Sequence, residues 1–213
     1  MGWLERLLGK EPAGQATPEV LEIPLFPLHT VLFPGGVLPL KVFEQRYLDM
    51  ASDCMKNKRP FGVCLIAEGK EVGAPAAPHG VGTLAFIRQW DMPQLGILHL
   101  TVAGDHRFRI LERETQADGL LRARVEVLEE APFTPVPEGL APLVPLLEQI
   151  AADLGPERLP PPHAFDDASW VGYRLSEVMP VQPLAQQKLL ELEDPVSRLE
   201  ILYKYLAPKG LVS

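Results

Sequence analysis

The sequence holds nucleophiles, metal-ligand types and a Gly-Lys pair, but not at the spacings their chemistry needs. A phosphate-binding loop requires Gly-x-x-x-x-Gly-Lys-Ser/Thr, so that backbone amides cradle phosphate while the lysine and hydroxyl complete the site. At Gly69-Lys70, Cys64 occupies the place of the first glycine and Glu71 that of the hydroxyl, where a carboxylate repels phosphate. Ser52, Ser169, Ser176 and Ser197 lack the flanking glycines of a strained nucleophile elbow. Ser52 also has no lysine three residues on. His29, His79, His99, His106 and His163 show no metal-ligand spacing. Cys54 and Cys64 match neither a redox pair nor a zinc half-site and read as reduced core residues. The expectation is a chain with no catalytic residue, no cofactor and no metal.

What remains is apolar character where turns should be polar. Val31-Leu32-Phe33-Pro34-Gly35-Gly36 and Trp90-Asp91-Met92-Pro93 read as loops rich in large side chains. One reading folds them back over the ends of a sheet. The other exposes Leu32, Phe33, Trp90 and Met92 as a patch that grips apolar polypeptide segments, since exposed apolar surface marks interaction sites. Met92 suits a permissive site because its thioether chain adapts its shape. Arg107, Arg109, Arg113, Arg122 and Arg124 could instead offer a cationic face to RNA, but Glu112, Glu114, Glu126, Glu129 and Glu130 offset them. A solvated, salt-bridged sheet face is the expectation there.

The elements that would carry these residues follow from periodicity. Of 213 residues, 20 are Lys or Arg and 28 Asp or Glu, a net charge of −8 that disfavours DNA and anionic lipid. No apolar run approaches the roughly 20 residues a bilayer span requires, and the amphipathic N-terminus lacks the apolar core of a secretory signal. A cytoplasmic protein is expected. From Glu22 to about Glu130 the pattern has period two, as in Leu98, Leu100 and Val102 or Leu121, Ala123, Val125 and Val127. Gly104-Asp105 and Asp118-Gly119 sit between runs as candidate turns. One helix interrupts the strands, with Phe43, Tyr47, Ala51, Cys54 and Met55 inward and Glu44, Arg46, Asp53, Lys56 and Lys58 outward. Nine of the 23 prolines fall between Pro132 and Pro162, and beyond Pro137 the period becomes helical. Asp166, Asp167 and Asp194-Pro195 are helix-start signals. The expected organisation is a leader over 1–19, a strand-rich part over 20–131, a Pro-rich linker over 132–139 and a helical part over 140–208. In the leader, Trp3, Leu4, Leu7 and Leu8 suit a short amphipathic helix docking on its own chain, with a partner or membrane surface as the alternative.

The segment Glu22-Ile-Pro-Leu-Phe-Pro-Leu-His-Thr-Val-Leu-Phe-Pro-Gly-Gly-Val-Leu-Pro-Leu-Lys-Val-Phe-Glu-Gln-Arg-Tyr47 resembles the opening of the N-terminal, substrate-binding domain of Lon proteases, above all in its small stand-alone bacterial members. Phe61-Gly-Val-Cys-Leu-Ile66, Val81-Gly-Thr-Leu-Ala85, Gly104-Asp-His-Arg-Phe-Arg-Ile-Leu111 and Gln187-Lys-Leu-Leu-Glu-Leu-Glu-Asp194 are similar too. The resemblance implies an α+β fold: a PUA-like β pseudo-barrel with one inserted helix, followed by a C-terminal helical bundle. It implies recognition of unfolded or degron-bearing polypeptides, with a complete Lon-type protease as a further partner. The ATPase and serine–lysine protease parts of full proteases have no counterpart in these residues. The functional expectation is a non-catalytic polypeptide-binding module, an adaptor or holdase. The alternatives are a PUA-like RNA-binding protein and a peptidase-associated subunit that needs a separate ATPase and protease.

Overall fold

The computed structural model describes residues 18–212, so the leader expectation for Trp3, Leu4, Leu7 and Leu8 lies outside the described residues. The strands are β1 (Val20–Leu28), β2 (Val37–Val42), β3 (Phe61–Glu68), β4 (Ala77–Pro78), β5 (Val81–Gln94), β6 (Ile97–Thr115) and β7 (Leu121–Val127). Five α-helices stand among the described residues: α1 (Gln45–Asn57), α2 (Leu143–Leu154), α3 (Ala168–Val178), α4 (Pro183–Glu191) and α5 (Pro195–Leu206). The sheet runs β1-β7-β6-β5-β3-β4, with β2 on β6. β1 also pairs in parallel with β3, through Leu25 opposite Gly62 and Leu28 opposite Leu65. The other strand pairs are antiparallel.

Local chemistry sets the helix ends. Asp167 accepts a hydrogen bond from the Ser169 amide at the start of α3, and Asp194 accepts one from Ser197 at the start of α5. Each satisfies a backbone donor that the first helical turn leaves free. Pro183 and Pro195 occupy the first turns of α4 and α5, where the missing N–H costs nothing.

Two expected turns resolve differently. Asp118-Gly119 does reverse the chain between β6 and β7, with Asp118 accepting from the Leu120 amide. Gly104 does not: β6 runs unbroken through it for 19 residues. A Cβ on Gly104 would lie 2.3 Å from the Phe33 carbonyl oxygen. This glycine therefore marks a close backbone approach within a strand, the other common reason for strand glycine. Trp90-Asp91-Met92-Pro93, expected as a loop, belongs to β5. Pro93 is tolerated because the ladder with β6 shifts register between Asp91 and Gln94, so no amide is required of it.

The sheet and helices meet through buried arginines. Arg107 and Arg198 are both 1% exposed, which corrects the expectation of a solvated face for Arg107. Arg107 Nη1 donates to the carbonyls of Leu190 and Leu192 at 3.1 and 3.0 Å, and its Nε meets Glu130 at 3.1 Å. Arg198 donates to Leu189 O and Leu192 O and lies 4.1 Å over the Tyr173 ring. Tyr173 donates its hydroxyl to Glu130 at 2.7 Å. Two cations thus cap the C-terminal carbonyls of α4, the negative end of its dipole, which offsets a positive charge that Glu130 alone would leave uncompensated. Arg46, expected on the outer face of α1, is also buried, donating to the carbonyls of Gly73 and Gly119. Phe43 is the converse: it precedes α1 and is exposed, while Tyr47 packs inward, 4.3 Å from the Phe26 ring.

Candidate functional site

The four residues singled out from sequence part company in the structure. Leu32 and Phe33 are 2% and 0% exposed. Leu32 joins the apolar cluster between the sheet and α1, and Phe33 joins the cluster of the helices, 6.0 Å from the Tyr173 ring. Their loop is held from both sides. Thr83 Oγ1 donates to Leu32 O at 2.6 Å, the Gly35 amide donates to Gly104 O at 2.9 Å, and Arg174 Nη2 donates to Pro34 O at 2.6 Å. These residues therefore pack the interior and offer no surface as the chain is folded.

Trp90 and Met92 are 61% and 43% exposed, and Leu95 is 93% exposed. All three lie on the arm formed by the outer halves of β5 and β6, where every residue from Arg88 to Gly96 is exposed. β5 pairs with β3 only through Thr83–Ala85, and beyond Ile87, which still packs against the sheet–α1 cluster, it is bordered by β6 alone and no longer covers core. Gln94 pairs with Ile97 across the two-residue connection Leu95-Gly96. Gly96 adopts φ +81° there, the left-handed region that a tight hairpin demands of one residue.

On the inner side of the arm, three strands line up two rungs. Leu40, Leu100 and Trp90 form one, and Lys41, His99 and Asp91 the next. Leu40 and Leu100 are buried while Trp90 is exposed, so the indole extends the apolar rung from the core into solvent. These rungs floor an open groove of about 460 Å³ bounded by Pro39, Lys41, Trp90, Asp91, His99 and Thr101. A second hollow of about 300 Å³ shares Pro39, Leu40 and Lys41 with it and continues toward Phe43 and Val72, both exposed. The arrangement is mixed: Pro39 and Trp90 offer apolar surface beside Lys41, Gln89, Asp91, His99 and Thr101. It can cover apolar side chains and hydrogen-bond a backbone. Among the described residues no group of three or more His, Cys, Asp or Glu forms a metal-binding cluster.

Sequence reasoning missed Leu95 and Phe43. The signal for Leu95 was the one already applied to Trp90, a large apolar residue at a turn. Phe43 was misassigned by extending the helical period one turn before the helix begins. Cys54 and Cys64 are buried and unpaired, and burial pushes their thiols up to about 11 and about 12. Neither is poised as a nucleophile.

Residues 22–207 match the family described as the ATP-dependent protease La (LON) substrate-binding domain. The chain belongs to that family. A crystal structure of a Lon N-terminal domain protein from Xanthomonas campestris superposes with a TM-score of 0.74 at 34% identity, covering 87% of this chain and 98% of the other. Lon protease of Xanthomonas oryzae pv. oryzae is 30% identical over 204 residues, 91% of this chain but 24% of the protease. Protein cereblon of Gallus gallus is 31% identical over 112 residues, 51% of this chain and 24% of that protein. This Lon-family chain thus spans about a quarter of the length of these two relatives. The matched part is the substrate-binding domain, with no ATPase or protease domain in the match.

Proposed function

We propose that this protein is a non-catalytic adaptor or holdase that grips apolar segments of unfolded or degron-bearing polypeptides through the β5–β6 arm. The observation that carries the reading is the exposure of Trp90, Met92 and Leu95 together on one hairpin beside an open groove of mixed apolar and polar lining. Membership of a substrate-binding family supports it. Full coverage of such side chains is worth roughly 1.5–3 kcal/mol each, enough for weak and permissive binding without chemistry. The closed circuit of pairings β1–β7–β6–β5–β3–β1 supports the PUA-like pseudo-barrel as the frame from which the arm extends. Delivery to a complete Lon-type protease in the cytoplasm is the accompanying role. No described helix is long and apolar enough to cross a membrane.

The RNA-binding alternative gains little support from the sheet. Arg109 pairs with Glu126 at 3.1 Å and Arg124 with Glu112 at 3.0 Å, so these two exposed arginines are neutralised in place. Capture of a chemically unfolded model protein by the immobilised chain tests the polypeptide reading. Wild type is expected to retain it, and Trp90→Asp with Leu95→Asp to lose retention by about tenfold or more, the factor for 1.4 kcal/mol. Both positions are exposed, so the fold survives the changes. Equal capture by wild type and variant would sink the assignment to the arm.

A further inference from the structure

The hollow of about 300 Å³ next to the arm's groove has apolar walls and an acidic corner. Leu28 of β1, Val42 of β2 and the exposed Phe43 and Val72 contribute to the walls. Glu44 just before α1, Tyr47 in its first turn and Glu71 from the β3–β4 connection form the corner. We propose that this hollow takes a lysine side chain of a bound polypeptide, its stem along the apolar walls and its ammonium among Glu44, Tyr47 and Glu71. The lysine comes from the same clients that the β5–β6 arm would grip, so the site rests on that reading.

Each carboxylate has one oxygen engaged and one to spare. Arg46 Nη2 donates to Glu44 Oε2 at 2.9 Å, and the His29 amide donates to Glu71 Oε1 at 2.5 Å. Glu44 Oε1 and Glu71 Oε2 have no hydrogen-bond partner among the described residues. Tyr47 is 6% exposed, yet its hydroxyl also has no partner among the described residues. A polar group unpartnered on a residue this buried calls for a ligand atom to complete its bonding. Burial pushes the phenol's pKa up, Arg46 opposes the rise, and Glu44 and Glu71 add to it. Both carboxylates therefore stand within electrostatic reach of the hydroxyl, which stays protonated at neutral pH.

The charge and the shape match one kind of side chain. Arg46 offsets Glu44, while Glu71 meets only a backbone amide and keeps its charge. Lys41, on the hollow's margin, sits in the rung with His99 and Asp91 and leaves the corner's charge in place. Three spare acceptors suit a primary ammonium, which brings three donors and no acceptor. A lysine also carries an apolar stem that buries along such walls while its head stays with polar partners. A chain N-terminus has the same ammonium without that stem.

The test is fluorescence anisotropy of the full chain with a C-terminally labelled, N-acetylated peptide of Leu, Val and Ser around one lysine. Its counterpart carries Nε-acetyl-lysine at that position. The lysine peptide is expected to bind about tenfold tighter. Glu71→Gln keeps an acceptor for the His29 amide, and Tyr47→Phe keeps the ring on Phe26, so both retain the fold. Each is expected to cut the tenfold preference to about threefold or less. Glu148→Gln, an exposed change on α2 that removes the same charge, is expected to leave it intact. Equal binding of the two peptides to wild type would overturn the proposal, as would a preference indifferent to Glu71 and Tyr47 or equally lost with Glu148. Equally tight binding of the acetyl-lysine peptide once its N-terminus is left free would assign the corner to a chain end and overturn the lysine. Failure of the arm shows differently, as capture indifferent to Trp90→Asp with Leu95→Asp.

Discussion

Arginine at position 198 shows how much one side chain decides here. Its guanidinium spans two carbonyls at the end of α4 while stacking on Tyr173, and burial pushes its pKa down from the usual arginine range. Arg198→Leu removes both donors and leaves buried carbonyls unsatisfied; a loss of about 3 kcal/mol in denaturant unfolding is expected. Arg198→Lys is not a rescue, because a single ammonium lacks the planar fork that reaches both acceptors. The buried thiols make a pH prediction of definite sign. Burial raises Cys64 from 9.0 to about 12 and Cys54 from 9.0 to about 11, so both stay protonated in the fold after the unfolded thiols ionise. That contribution is complete below pH 9 and is lost as pH rises toward the folded values. Stability measured between pH 8 and 10.5 is expected to fall, and Cys64→Ala to flatten the slope while lowering the plateau. The same residues should resist alkylation at pH 8 until the protein is unfolded.

Among the elements, β6 teaches the most about what patterning can convey. Its alternation was plain from Leu98 to Val102 and again from Phe108, and the helix starts at Asp167 and Asp194 were legible because capping is a local interaction written in adjacent residues. Gly104 misled because a glycine between two periodic runs has the same appearance whether the chain turns there or another backbone passes close by. Only the approach of Phe33, 71 positions away in sequence, separates the two cases. Arg46 and Arg107 were hidden for a related reason: their partners are carbonyls of distant loops and of a helix end, which no side-chain pattern announces. On the candidate site, Trp90 and Met92 were legible as exposed, whereas Leu32 and Phe33 were not legible as buried, since tertiary packing decides what covers a loop. The two glycines Gly104 and Gly139 turn this into a measurement. Gly104→Ala meets the Phe33 carbonyl at 2.3 Å and is expected to cost about 3 kcal/mol. Gly139→Ala, with open space around its Cβ position, is expected to stabilise by about 0.5 kcal/mol through the unfolded chain.

At the scale of the whole molecule, the segment from Val31 to Gly36 joins the strand-rich and helical parts that the sequence suggested. Consecutive residues, Leu32 and Phe33, root in different apolar clusters, and Thr83, Gly104 and Arg174 bind their backbone from the sheet and from α3. Arg107 adds a second tie from β6 to the end of α4. Calorimetry is accordingly expected to show one cooperative transition with matching calorimetric and van't Hoff enthalpies; two resolved transitions would contradict the coupling. The consequence reaches beyond stability. Under the proposed function, a chain that holds the unravelled must not offer a molten half of itself as prey, and a stitch that forces all of it to stand or fall together keeps holder and held distinct.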